Sequence, residues 1–177
     1  MPTDEELLYT GKRFQVKRAT RTRPDGSILQ KEVIRHPGSV VIVPIVDTDH
    51  VCLIRNFRMA AGRTLIELPA GTLESQEPPL TCAMRELIEE TGYRAAVMEE
   101  LTAFYAAPGM FDEYMHLFVA KDLTPGDAAR EPDEEIENLV VPLAEALQMI
   151  QRGDICDAKT MIGLLLYYQN YVLPGLR

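Results

Sequence analysis

Positive charge is scarce in this chain: 18 lysines and arginines stand against 27 aspartates and glutamates, a formal net charge of −9. A surface of that sign repels polyanions, which excludes a general affinity for nucleic acid or anionic membranes. An anionic ligand would need arginines or bound cations gathered at its site. Cysteine is scarce too. Cys52, Cys82 and Cys156 are odd in number and far apart, with no C-x-x-C pair, so neither a disulfide framework nor a zinc site is expected. Three reduced, mostly buried thiols are the expectation. No long apolar run exists: stretches such as Val40 to Val46 fall far short of the roughly 20 residues that cross a bilayer. The opening MPTDEELLYTGKRF is acidic and has no apolar signal core. A cytoplasmic place follows by default.

What is present suits one α/β domain with a small appendage. The chain has 177 residues, 46% of them hydrophobic, enough to build a core. Arg13 to Ile34 alternates and is broken by Pro24-Asp25-Gly26-Ser27, which predicts an antiparallel hairpin. It holds few large apolar residues, so residues 1–37 are expected to form an appendage that packs on something else, such as a second subunit. Residues 38–177 form the main domain. There, Ser39 to Asp47 is nearly continuous Val and Ile and should lie at the centre of a sheet, paired with His50 to Phe57. A short strand is expected over Thr64 to Leu68 and a helix over Pro78 to Glu90, stopped by Gly92. Strands at Ala95 to Tyr105, Tyr114 to Ala120 and Ile136 to Val141 follow, with an exposed acidic loop over Thr124 to Glu135. Two helices, Leu143 to Gln151 and Ala158 to Val172, close a mixed α/β order.

The chemistry concentrates on the first helix. At about 100° per residue, Leu80, Met84, Leu87 and Thr91 fall on one stripe, and Glu86, Glu89 and Glu90 on a different arc. Like charges at that spacing destabilise a helix by roughly 0.2–0.5 kcal/mol per pair, and acids near its C-terminus oppose the dipole. Arg85 can neutralise one carboxylate. A divalent cation with a taste for hard oxygen ligands, Mg²⁺ or Mn²⁺, would neutralise the rest. Spacing alone does not separate this from a solvated acidic face.

The wider pattern does separate them. Gly71, five residues, Glu77, seven residues and then Arg85-Glu86-Leu87-Ile88-Glu89-Glu90-Thr91-Gly92-Tyr93 resembles the Nudix box, GX5EX7REUXEEXGU, at every fixed position. Tyr93 is the one mild departure, an aromatic where an aliphatic is usual. The resemblance implies a phosphoanhydride hydrolase with an α/β/α sandwich, a mixed sheet and, here, the N-terminal β-hairpin appendage. It implies Glu86 and Glu90 as metal ligands, Glu89 as a further ligand or catalytic helper, and the backbone carbonyl of Ala70 as another ligand. Gly71 and Gly92 would serve backbone geometry, and Glu77 with Arg85 a structural ion pair.

Three further stretches resemble the ADP-ribose pyrophosphatase branch of that family. Pro108-Gly109-Met110 begins fifteen residues beyond Tyr93, where the branch carries a proline. Arg55-Asn56-Phe57-Arg58 with Glu67-Leu68-Pro69-Ala70-Gly71 matches its approach to the box, and implies that Arg58 contacts substrate. Gly153 to Thr160 resembles the entry to its last helix, with Asp157 as a cap. The branch takes its base from an acidic loop after the box, which points to Glu134 and Glu135, with Glu131 behind them. Phe57, Phe104, Tyr105 and Phe111 are available to stack on a base, though core packing suits each better. His36, His50 and His116 are isolated. The expectation is a Mg²⁺-dependent homodimer that cuts ADP-ribose into AMP and ribose 5-phosphate, with the hairpin crossing to the partner. GDP-mannose or another sugar nucleotide is the nearest alternative, and a non-catalytic Nudix-like binding module is of a different class.

Overall fold

A computed structural model describes residues 4–130 and 135–176. The central strand explains the rest. β4 (Ser39–Pro44) is buried along its whole length, and its side chains alternate between two helical layers. Val40 and Ile42 pack on helix α1 (Pro79–Thr91) with Phe118, Ala120, Cys82, Ala83 and Leu87. Val41 and Val43 face the other way, onto α2 (Leu143–Arg152) and α3 (Ala158–Tyr167) with Leu117, Val119, Ala146 and Leu164. A strand covered on both faces has no polar side to show, which is why it reads as unbroken Val and Ile. The result is an α/β/α sandwich.

β4 is hydrogen-bonded in parallel to β9 (Phe111–Thr124) and antiparallel to β7 (Ala70–Thr72). β9 also pairs with β8 (Arg94–Ala107). A second, three-stranded sheet runs β10 (Ile136–Pro142), β5 (His50–Arg58), β6 (Arg63–Glu67). The expected pairing of β4 with β5 is therefore corrected. They share only the bridge Ile45↔Val51 and then part into different sheets. The split places Arg58 and Glu67 in the second sheet, while β7 takes the edge beside β4 in the first.

At the N-terminus the hairpin β2 (Gln15–Thr22) and β3 (Ile28–Arg35) is joined by a strand not foreseen, β1 (Asp4–Thr10), on the outer side of β2. β3 meets β9 in parallel at Ile34↔Phe111, and Met110 offers its carbonyl to the Ile34 N–H at 2.8 Å, so these strands extend the main sheet. The last helix ends in a π-helical turn over Tyr168–Val172. Among the described residues no helix is long and apolar enough to cross a membrane.

The entry to α3 is fastened by side chains. Asp157 caps it by accepting from the Thr160 N–H at 3.0 Å, and the Thr160 hydroxyl donates to the same carboxylate at 2.6 Å while accepting from the Leu68 N–H at 2.8 Å. Thr160 is fully buried. Thr160→Val keeps the shape but leaves the Leu68 N–H unsatisfied, and should cost about 1–3 kcal/mol, read as a lower urea midpoint with unchanged slope. An unchanged midpoint would show the bond to be dispensable.

Candidate active site

Helix α1 starts at Pro78, whose extended backbone (ψ 139°) and following Pro79 suit a first turn. It ends at Gly92, with φ at 80°, where an added Cβ would lie 2.3 Å from the Gly126 carbonyl oxygen. The last carbonyls of the helix are all answered. Ala129 N–H donates to Glu89 O at 3.1 Å, Arg130 Nε to Glu90 O at 3.0 Å, and Asn138 Nδ2 to Thr91 O at 2.8 Å. Arg130 thus brings positive charge to the end of a helix that carries three carboxylates against its dipole.

The face this helix buries differs from the sequence expectation. Leu80 and Met84 are 47% and 45% exposed, while Glu86 and Glu90 are only 9% and 3% exposed, beside Cys82, Ala83, Leu87 and Thr91. The reason is β7. Its short backbone runs beside the helix and offers polar partners to carboxylates where a hydrophobic wall would reject them. Glu90 Oε2 accepts from the Ala70 N–H at 2.9 Å. Glu86 occupies the space that any side chain at residue 71 would fill: a Cβ on Gly71 would lie 1.8 Å from the Glu86 carboxyl carbon.

Arg85 binds the group together. Its Nε and Nη2 reach the two oxygens of Glu77 at 3.0 and 2.9 Å, and its Nη1 donates to Glu86 Oε1 at 2.7 Å and Glu89 Oε2 at 2.9 Å. This fork holds the Glu77 carboxyl down to about 2, and in turn raises Arg85 above its ordinary value. Burial pushes the Cys52 thiol up to about 12 and raises Cys82 as well, so both are inert. Cys156 is exposed, the exception among the three free thiols.

A cavity of about 630 Å³ opens against this helix, lined by Glu86, Glu89 and Glu90 and by Ala70 and Gly71 of β7. Arg58 from β5, Arg35 from β3, and Lys12, Arg13 and Phe14 from the β1–β2 turn line it too. A second cavity of about 330 Å³ shares Arg13, Arg58 and residues 70–72 with the first, and adds Ser39, Phe104, Tyr105, Glu113 and Lys159. Each contains the mixture of signs that a net-acidic protein must assemble to hold an anion.

The placement of the remaining residues picked from sequence is uneven. Arg58 lies at the wall common to both cavities. Pro108, Gly109 and Met110 form the exposed turn that closes the β8–β9 hairpin, because the two strands pair down to Ala107↔Phe111, and none of the three lines either cavity. Glu135 is exposed just ahead of β10 and lines neither. Glu131 and Glu134 lie outside the described residues. Phe57 and Tyr105 are 46% and 55% exposed, so core packing is the wrong account of both. Sequence reasoning missed the β1–β2 turn, although the Gly11-Lys12-Arg13 turn chemistry and charge were visible. It also missed His36, which lines the larger cavity and whose imidazole is held below its ordinary pKa chiefly by burial.

Among the described residues no three acidic, histidine or cysteine side chains converge on one point. Arg85 stands between Glu86 and Glu89, and Glu90 is turned onto the Ala70 N–H. The donor set still fits a hard divalent cation: three carboxylates beside one backbone strand, all oxygen, in a cradle that exists only because residue 71 has no side chain.

The sequence model of the NUDIX domain matches residues 35–161. The chain belongs to the Nudix family. This Nudix chain is 37% identical over 158 residues to the ADP-ribose pyrophosphatase of Bacillus subtilis (strain 168), with 88% of this chain and 85% of that protein covered. It is 39% identical over 156 residues to the GDP-mannose pyrophosphatase of Cronobacter sakazakii (strain ATCC BAA-894), covering 80% of each. Its fold resembles the crystal structure of an ADP compounds hydrolase with a TM-score of 0.83 at 26% identity, over 98% of this chain and 93% of that one. The chain is a Nudix pyrophosphohydrolase, from a family whose members use divalent cations.

The Arg85–Glu77 pair has a consequence for stability. Glu77 has a lowered folded-state value, so its contribution is complete above about 4.5 and is lost as pH falls toward about 2. Glu77→Gln should lower stability by about 1–2 kcal/mol at neutral pH, after discounting for solvent at the partly exposed arginine, and flatten the acid limb of the stability curve. Chemical denaturation from pH 7 to pH 2 checks both; parallel curves for the two proteins would remove the pair from the account.

Proposed function

We propose that this Nudix enzyme hydrolyses the diphosphate bridge of ADP-ribose, releasing AMP and ribose 5-phosphate, with Mg²⁺ or, less well, Mn²⁺. The observation that carries the reading is the pair of adjoining cavities that share Arg58 and the β7 backbone, the larger one lined by the acids of α1, in a chain so similar along its length to an ADP-ribose pyrophosphatase. A nucleoside diphosphate sugar has two bulky ends about a charged centre, and adjoining cavities with a charged common wall suit that shape.

Glu86, Glu90 and the carbonyl of Ala70 are the principal residues that would hold the cation, with Glu89 beside them as a further ligand or as the base. Bound there, it would neutralise diphosphate charge and acidify a water. The protein's own groups do the rest. Arg58 offers N–H donors to phosphate oxygens. Glu89 is the most exposed of the three helix carboxylates and among the described residues its carboxylate pairs with Arg85, which suits it to take a proton from the attacking water; Glu135 lines neither cavity and is the weaker choice. The water oxygen bonds to phosphorus, the bridging P–O bond breaks, and the phosphate of the leaving half takes the electron pair. We place the enzyme in the cytoplasm, in keeping with three unpaired thiols.

A panel of ADP-ribose, GDP-mannose, diadenosine polyphosphates and dNTPs tests the reading. Turnover of ADP-ribose should exceed that of GDP-mannose by at least about tenfold in kcat/KM, stop with EDTA and return with Mg²⁺. GDP-mannose is the second reading, favoured by its 39%-identical relative, and hydrolysis of it alone would establish it. Binding without turnover in any metal would leave a non-catalytic module.

We further propose a homodimer built on the N-terminal strands. β1 ends the sheet, its outer edge is unpaired among the described residues, and Leu7, Leu8 and Tyr9 are exposed along it. Light scattering should give twice the chain mass of 19.9 kDa, and Leu7→Lys with Tyr9→Lys should return it to the single value. A monomer at assay concentration overturns this.

A further inference from the structure

Glu67, at the end of β6, is 1% exposed, a carboxylate in the interior of the protein. Leaving such a group uncompensated would cost several kcal/mol. Two cations answer it. Arg58 grips it as a fork, Nε to Oε1 at 2.8 Å and Nη2 to Oε2 at 2.6 Å. Lys159 Nζ, from the first turn of α3, donates to the same Oε2 and also to Asp157 at 2.9 Å. Asp157 is in turn fixed by capping α3. The ends of the consecutive strands β5 and β6 and the start of the distant helix α3 are tied at one point.

Stability does not explain the arrangement. Buried ion triads replaced by apolar side chains of similar volume often leave a protein as stable or more so, so stability alone gives no reason for this one. Its position does. Arg58 and Lys159 both line the second cavity, Arg58 also lines the first, and Glu90 is near enough to add to Glu67 in raising the Arg58 pKa. With Nε and Nη2 taken up by Glu67, the guanidinium plane is set, and Nη1 makes no hydrogen bond with any described residue. A phosphate oxygen at the cavity wall would complete it without any rotation of the side chain, which is the condition for a donor that loses little entropy on binding.

We infer that Glu67 is a positioning residue for the diphosphate: its buried carboxylate, neutralised by Lys159, fixes the Arg58 guanidinium at the wall the two cavities share. This rests on the nucleoside diphosphate sugar reading of the site. Lys159 is required because a lone Arg58–Glu67 pair would leave Asp157 as a second, unanswered carboxylate beside it.

The test uses the full chain and whichever conjugate of the substrate panel the wild type turns over best, so a wrong substrate leaves this experiment intact. Glu67→Gln should lower kcat/KM roughly ten- to a hundredfold, mainly through KM. In an Arg58→Ala background the same substitution should cost less than about threefold more, because the two residues act as one. Since a single substitution in the cluster can unfold the chain, Glu67→Met with Lys159→Met is the companion variant. It should keep the thermal midpoint of the wild type while losing kcat/KM to the same degree. Wild-type KM in the folded double variant, or independent and multiplying losses in the Arg58→Ala background, would make the cluster purely structural and overturn the inference.

Discussion

Everything at this site depends on the way Arg85 sits among four carboxylates. Glu77, Glu86 and Glu89 each accept a hydrogen bond from its guanidinium, and Glu90 lies on the same buried face of the helix. Without that cation the acids would repel one another in a partly dry setting, and the helix would turn its charged face to water. With it, α1 can present acids inward and press Ala83 and Leu87 into the core at the same time. Packing and chemistry share one helix because Arg85 faces Glu77 with one edge of its fork and the helix acids with the other.

Much of this was legible in the sequence, and the limits have physical causes. The carboxylate helix, its proline start and glycine stop could be read because capping is local and the box spacing is rigid. The central position of β4 followed from its unbroken apolar run, which only burial on both faces explains. The buried face of α1 was misread because hydrophobic periodicity counts a glutamate as outward. Glu86 and Glu90 are inward through partners on β7 that are distant in sequence. The pairing of β5 was misread for a similar reason. Adjacent strands usually pair, but here β9 takes the place beside β4. The proline turn at Pro108 was given a role in binding on resemblance, and within one chain it stands clear of both cavities.

The N-terminal strands show how far local reading falls short. The sequence suggested a hairpin appendage that packs on something else, such as a second subunit. In the structure the same residues continue the main sheet through Ile34↔Phe111, and the turn between the first two strands, residues 10–15, reaches the cavity of its own chain. The scarcity of apolar side chains that marked this segment as dependent is real: Leu7, Leu8, Tyr9 and Ile28 are exposed. It finds its support through backbone hydrogen bonding and through Arg35, which bridges Glu5 and Asp112. Neither kind of contact leaves a periodic trace.

The order of strands in the main sheet also governs how the chain is born. β4 must wait for β9, which follows β5 to β8 in the chain, before it gains its parallel neighbour in the sheet. Emerging from a ribosome, Val40 and Ile42 can be covered once α1 has been synthesised, but Val41 and Val43 stay exposed until α2 and α3 follow. A chain cut ahead of β9 lacks both that neighbour and the α2–α3 layer, which leaves an apolar strand without its cover.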